Sequence, residues 1–409
     1  MDTMVQRRTG TQAGWGRGMK KGVFIWMAAL FFVGFLQGCG PVTGFLADIG
    51  IGAGSADEGL TLAVTAPLIS TDSQANYLRE YIKGVELAAA EIAAWDMDAP
   101  LHIRIDYDDG DFGSAAELTQ AYTADPTVIG VVGYWGSTVL APLSNLYIAE
   151  QKTLIASIAS VPSLTQNPSD YLLRNIPEDG QISKKMADYA KGQGIGRAVV
   201  YYEDSLYGFE MAVALEKYAS AIGVDIVDKL CSPHTERELV DLERKWRAIG
   251  YEAIFLISTL DEGVAFLNTL DSLGFTGSVI CSNGLDDAAL PQYLMARETG
   301  FGELVVCSTL KHEQTKNTAL MDDFIENYQA RFGTPPDSWA ALGYDSVIIA
   351  AKAVAYHDIK TTDQLSAYLR RTTDLGGLYE NAVFDERGDI QGKPIYMKRL
   401  VGAYFEYID

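Results

Sequence analysis

The stretch VVGYWGST (131–138) carries two apolar residues into a glycine, two aromatics, a second glycine and the hydroxyls of Ser137 and Thr138. The preceding PTVIGVVG reads as a strand buried on both faces, and the following TVLAPLSNLYIAE has helical spacing. The two hydroxyls therefore stand where a strand hands over to a helix. In an open α/β sheet that carboxyl edge is where ligands bind, and N–H groups at a helix start favour an anion such as a carboxylate. Two readings stay open: Ser137 caps the helix, or the hydroxyls hold an anionic ligand group.

Other chemistry is thinly supported. The four histidines, His102, His234, His312 and His357, have no zinc-site spacing, and no G-x-S-x-G elbow occurs. GDIQGKP (388–394) resembles a phosphate loop only superficially, with three residues between its glycines and Pro394 after Lys393. GQGIGR (192–197) follows a helix and precedes a strand, the reverse of the dinucleotide order, and reads as a helix C-cap. DYDDGD (106–111) reads as a solvated loop at a strand end rather than a metal site. No cofactor and no metal are expected. Cys281 and Cys307 both end apolar strands, so a disulfide between them and three buried free thiols, with Cys231, both remain open.

The elements that must position Ser137 come from the alternation along the chain. With 409 residues, 48% of them hydrophobic, the chain is long enough for two ordinary cores with a cleft between them. From Leu60, apolar strands alternate with helical patterns: LTLAVTAPL, LHIRIDYDD, VIGVVG and TLIASIA as strands, with helices between them. A second such series follows from Gln181, through RAVVYYED, VDIVDKL, AIFLIS and GSVICSN. Repeated βα units predict parallel, doubly wound sheets, and two series predict two Rossmann-like lobes. The last third adds helices (MDDFIENYQARFG and WAALGYDSVIIAAKAVAYH, then a short one) and a closing hairpin from Ala382 to Ile408.

The N-terminus has its own logic. Lys20 and Lys21 precede an apolar run from Val23 to Leu36, which ends in LQGC at Cys39. This is the pattern of a bacterial lipoprotein signal peptide, with Met19 as an alternative start; Cys39 would carry the lipid and residues 1–38 would be removed. The run is too short for a membrane span of about 20 residues. Residues 39–58 are glycine-rich and suit a tether of about 25 Å reach. Losing residues 1–38 removes five basic residues and one acidic one, which moves the net charge from −22 to −26. So acidic a surface repels phosphate backbones and anionic lipid, so no nucleic acid partner is expected, and the membrane is met through the anchor alone.

Five segments, taken in order, resemble the type I periplasmic binding proteins, in the leucine/isoleucine/valine-binding branch of ABC-transporter receptors. They are APLISTDSQANYLREYIKGVELAAAEI, VVGYWGSTVLAP, LIASIASVPSLT, VVYYEDSLYGFEM and FDERGDIQGKPIYM, and the resemblance runs from about Leu60 to the end. It implies two lobes joined by a hinge, with 59–177 plus 310–375 in the first and 178–309 plus 376–409 in the second. It also implies that Ser137, Thr138 and Ser160 hold a ligand carboxylate and that Tyr77 and Tyr207 close over the side chain, with Trp135 as an apolar wall. Ile158, Thr259 and Asn283 complete the expected ligand-binding set.

One position departs from the family. Its amino-acid binders end a second-lobe strand in a glutamate that pairs with the ligand ammonium, whereas GSVICSN ends in the neutral Asn283. Asp261 or Glu262, or Asp286 or Asp287, are the candidates to substitute, and the last two also fit as helix caps. The resemblance implies a non-enzymatic, lipid-anchored, extracytoplasmic receptor that binds an amino acid or a related small carboxylate or amide and delivers it to ABC permease subunits. A receptor acting on a signalling or cell-wall partner, and a hydrolase on the same fold, are the rival readings.

Overall fold

The computed structural model describes residues 59–67, 76–97, 100–108, 110–294, 300–312 and 318–408; the expected leader, Cys39 and the tether lie outside these. Among the described residues no helix is long and apolar enough to cross a membrane. The chain begins with β1 (Leu60–Pro67), α1 (Asn76–Ile92), β2 (Leu101–Asp108), α2 (Phe112–Ala124), β3 (Val128–Gly133), α3 (Ser137–Ala149), β4 (Leu154–Ala156) and β5 (Leu172–Arg174). These five strands form one parallel sheet in the order β2-β1-β3-β4-β5. TLIASIA is a strand over only three of its residues, and β5 was not expected, because three apolar residues are too few to show a period.

The chain then crosses to a second sheet through α4 (Asp179–Gly192), β6 (Arg197–Tyr202), α5 (Leu206–Ala221), β7 (Asp225–Cys231), α6 (Glu236–Ile249), β8 (Ala253–Ile257), α7 (Leu260–Ser272), β9 (Ser278–Cys281), α8 (Leu290–Leu294) and β10 (Glu303–Ser308). It returns to the first lobe with α9 (Ala319–Phe332), α10 (Ser338–His357), α11 (Thr362–Arg371) and a hairpin of β11 (Val383–Phe384) and β12 (Ile390–Gln391). Finally β13 (Tyr396–Val401) adds antiparallel to β10 and β14 (Tyr404–Tyr407) antiparallel to β13, which gives the order β14-β13-β10-β9-β8-β6-β7. The expected architecture of two doubly wound lobes is present.

Each sheet is covered on both faces, and the strand pattern says why. Along β1, Leu62, Val64 and Ala66 point into a core shared with α1 and α10, while Ala63 points to the side of α2 and α3. Along β3, Ile129 and Val132 join the first core, Val128 and Val131 the second. The same logic separates the cysteines. β9 and β10 are parallel neighbours with Cys281 opposite Val306, so Cys281 and Cys307 lie in cores on opposite faces of the sheet, and no disulfide joins them. Leu378, Tyr379, Ala382, Phe384 and Ile390 pack in the first lobe, so the stretch expected to open the second lobe at 376 joins it only with β13.

Two buried ion pairs fasten the crossings between lobes. Lys393 Nζ lies 2.7 Å from Asp345 of α10 and donates to the Asn175 carbonyl at 2.8 Å, while the Asn175 amide returns to Asp345 at 3.1 Å. Arg174 pairs with Asp389 at 2.6 Å and donates to the carbonyls of Ser160 and Val161 at 2.9 and 2.6 Å. The second pair holds the loop on which Ser160 sits.

Helices α1 and α10 cross backbone to backbone. A Cβ on Gly84 would lie 2.0 Å from the Ala340 carbonyl oxygen, and one on Gly343 would lie 2.3 Å from that of Tyr81. Gly84→Ala is therefore expected to lower the unfolding free energy by about 1–3 kcal/mol, seen as a lower urea midpoint with unchanged slope. Gly192→Ala, where nothing lies within 4 Å, should be neutral or stabilising by up to about 1 kcal/mol. Similar midpoints for the two variants would show that α1 and α10 have room to part.

Candidate functional site

The turn from β3 into α3 is made by two glycines. Gly133 has φ 145° and lies against Thr65, where a Cβ would meet the methyl at 2.5 Å; Gly136 has φ 79° and is itself the N-cap of α3. Between them Tyr134 turns inward, with its hydroxyl bonded to Thr119 at 2.5 Å and Tyr147 at 2.7 Å, and Trp135 turns the other way, onto Tyr77. Ser137 is thus the first residue inside the helix. It is buried and does not cap α3, so the capping reading of its hydroxyl is excluded. Thr138, one residue on, is exposed.

Ser160 is buried beside Asp179, whose N–H bonds back to the Ser160 carbonyl at 3.0 Å. Asp179 opens α4 and is fully buried, and neither of its carboxylate oxygens has a donor at hydrogen-bonding geometry. Burial pushes this acid up to about 7, with Glu178 and Glu210 adding to the shift and the Ser160 hydroxyl and Arg174 opposing it. Its charge also acts on Tyr207, the half-buried tyrosine of α5. The Tyr207 hydroxyl donates to Ser282 at 2.9 Å, just before Asn283, which is buried with its Oδ1 unpartnered. Ile158 is half-buried against the first-lobe core.

Glu203 sits at the carboxyl end of β6. Its Oε2 accepts from the N–H and hydroxyl of Thr259 at 2.7 and 2.9 Å, and its Oε1 accepts from Ser205 at 2.7 Å. The Thr259 hydroxyl is therefore engaged within the second lobe. The Glu203 charge nevertheless reaches across: burial, then Glu203, Asp261 and Asp287, hold the Tyr77 hydroxyl far above its ordinary value. Tyr77 lies between Trp135 and Trp339, at ring-centroid distances of 5.4 and 5.3 Å.

The lobes meet here. Asn76 of α1 donates to Asp287 at 3.1 Å, and the Trp339 indole of α10 donates to the Asp286 carbonyl at 2.7 Å. The Asp286 carboxylate takes Ser338 from the first lobe and Lys398 from the second. A third contact runs from the Ser163 N–H to Glu210 at 2.9 Å. Burial pushes Asp287 up to about 6, reinforced by Asp286 and opposed by the Ala289 N–H, the Asn76 amide and the Tyr77 N–H.

Of the four acids that sequence offered in place of a strand-end glutamate, Asp261 and Asp287 act on Tyr77, Glu262 accepts from Ser232 at 2.6 Å, and Asp286 is held by Lys398. Asp287 also serves the helix start, accepting from the Ala289 N–H at 2.7 Å. Sequence reading missed Asp179 and Glu203. Glu203 was findable, because it follows an apolar strand just as Ser137 does. Asp179 was not, because an acid at a helix start looks the same whether it faces water or a core.

A profile of periplasmic binding proteins matches residues 61–400. A Leu/Ile/Val-binding protein homolog from Brucella abortus is 24% identical over 258 residues, 59% of this chain and 63% of that protein, so the match spans less than two thirds of this curated relative. An ABC transporter substrate-binding protein from Desulfitobacterium hafniense, solved in complex with Leu, is 29% identical, covers 86% of this chain and all of that one, and superposes with a TM-score of 0.75. A branched-chain amino acid transporter substrate-binding protein from Streptococcus pneumoniae, in complex with isoleucine, shares the fold at 21% identity, with 85% and 98% of the two chains covered and a TM-score of 0.74. The two doubly wound lobes and the profile match over most of the chain agree: this chain belongs to the periplasmic binding protein family and is Leu/Ile/Val-binding-like.

Proposed function

We propose that the protein is the extracytoplasmic solute-binding component of an ABC importer, a binding protein that closes its lobes over an amino acid or a related small carboxylate. The observation that carries this reading is the start of α3, where a glycine and not a side chain forms the cap and the buried Ser137 hydroxyl stands free of that duty. Helix N–H groups and hydroxyls stabilise a carboxylate without a buried countercharge in the protein. Ser160 adds a second hydroxyl from the neighbouring loop, and Tyr207 faces it from the second lobe through Asp179. Thr138, Ile158, Trp135, Tyr77 and Asn283 border the same space in this reading, while Thr259 acts indirectly by holding Glu203. Motion about the crossings at Asn175 and Lys393 opens and closes the site.

Removing one donor to a charged ligand group costs about 1.5–3 kcal/mol, so Ser137→Ala and Ser160→Ala are each expected to weaken binding roughly tenfold or more. Titration calorimetry with an amino acid that raises the melting temperature reads this directly, and unchanged affinities in both variants would remove the carboxylate cradle from the mechanism. The lipid anchor is tested separately. Wild type should incorporate palmitate and sediment with membranes, and Cys39→Ser should accumulate as an unlabelled precursor; wild type found unlabelled in the soluble fraction would refute the anchor.

A further inference from the structure

Two of the similar proteins solved with ligands hold leucine and isoleucine, whose side chains are aliphatic. One wall of this cleft has a different chemistry. Tyr77 stacks on Trp135 with an interplanar angle of 30° and leans on Trp339 at 49°, which puts three aromatic rings on one wall. The charges that act on the Tyr77 hydroxyl are those of Glu203, Asp261 and Asp287, all acids. The nearby cations are committed elsewhere: Lys398 to Asp286, and Arg174 to Asp389.

A second, independent observation marks this as a place for a ligand group. Asp287 is fully buried and its Oδ2 has no hydrogen-bond partner; Asn283 Oδ1 is buried and unpartnered as well. Buried carboxylates and amide oxygens without donors are costly, and an aliphatic side chain would leave them so. An ammonium or guanidinium would supply the missing donors and positive charge, and aromatic faces attract such a group further.

We propose that the ligand carries a second cationic group, remote from its carboxylate, seated between the Tyr77–Trp135–Trp339 wall and the carboxylates of Asp287 and Asp261: a basic amino acid rather than a branched-chain one. This rests on the receptor reading above, with the carboxylate at Ser137 and Ser160. Asp287 faces the N–H groups of Ala289 and Tyr77, the Asn76 amide and the Asp286 carboxylate, and through the latter Lys398; from α10, Asp337 faces it as well. A cation binding there displaces the proton that burial leaves on Asp287 below about pH 6. Affinity for the cation should therefore rise with pH and level off above that value.

The test compares cationic and neutral amino acids on the full chain by calorimetry: lysine against norleucine, which lacks the ammonium, and arginine against its isostere citrulline. Lysine or arginine should bind at least tenfold more tightly than its neutral partner. Asp287→Asn and Asp261→Asn should each erase most of that preference, read as the ratio of lysine to norleucine affinity within each variant, so that one variant suffices if the other fails to fold. Lysine affinity should strengthen from pH 5 to 7.5, and norleucine affinity should not. Norleucine or leucine binding as tightly as lysine overturns this proposal and leaves the receptor reading intact. Binding of none of these probes overturns this proposal, and if no other amino acid or small carboxylate binds either, the receptor reading falls with it.

Discussion

Two helices that touch without side chains between them set the geometry of this protein. Gly84 of α1 and Gly343 of α10 remove the Cβ atoms that would hold the helices apart, and the backbones close to the limit that sterics allow. That contact lies in the largest core, and both helices carry site residues at their starts: Asn76 and Tyr77 on α1, Ser338 and Trp339 on α10. The aromatic wall and the three first-lobe contacts to Asp286 and Asp287 follow from how closely those two helix ends approach.

Negative charge buried between the lobes is the second organising fact. Asp179 and Asp287 are buried and Asp337 is half-buried, and desolvation raises each above the ordinary range of a carboxylic acid. A protein selected only for stability would replace such groups with apolar ones of similar volume, often at no loss. They are intelligible as groups whose partner arrives with a ligand, and as groups that resist closing an empty cleft. Both roles come from the same cost of holding a carboxylate away from water.

Closure of two lobes also needs a fixed axis. The buried Lys393–Asp345–Asn175 cluster ties two of the interlobe crossings to α10, and Arg174–Asp389 ties the base of β5 to the β11–β12 hairpin. Ser160 hangs from the second of these by its carbonyl, so its loop is fixed to the buried polar network of the first lobe. Tyr207, Ser282 and Glu203 belong to the second sheet's carboxyl edge and move with it. Short, buried polar contacts thus join the candidate site to the segments that run between the lobes.

Much of this was legible in the residues alone. Apolar strands without alternation could be satisfied only by sheets covered on both faces, so the βα repeat was enough to determine two doubly wound lobes and to put Ser137 at a strand's carboxyl edge. Sequence could not decide whether Ser137 capped its helix, because that depends on Gly136 reaching a positive φ and taking the cap itself. Nor could it pair the acids. Asp261, Glu262, Asp286 and Asp287 are equivalent in sequence, yet one accepts from Ser232, another meets Lys398 from a strand over a hundred residues on, and two face Tyr77 from the opposite lobe. Local pattern determined which elements form, since propensity and hydrophobic period act over a few residues. Which charges share a buried space was decided by tertiary structure, since that depends on distance through the fold and on the water each group has lost.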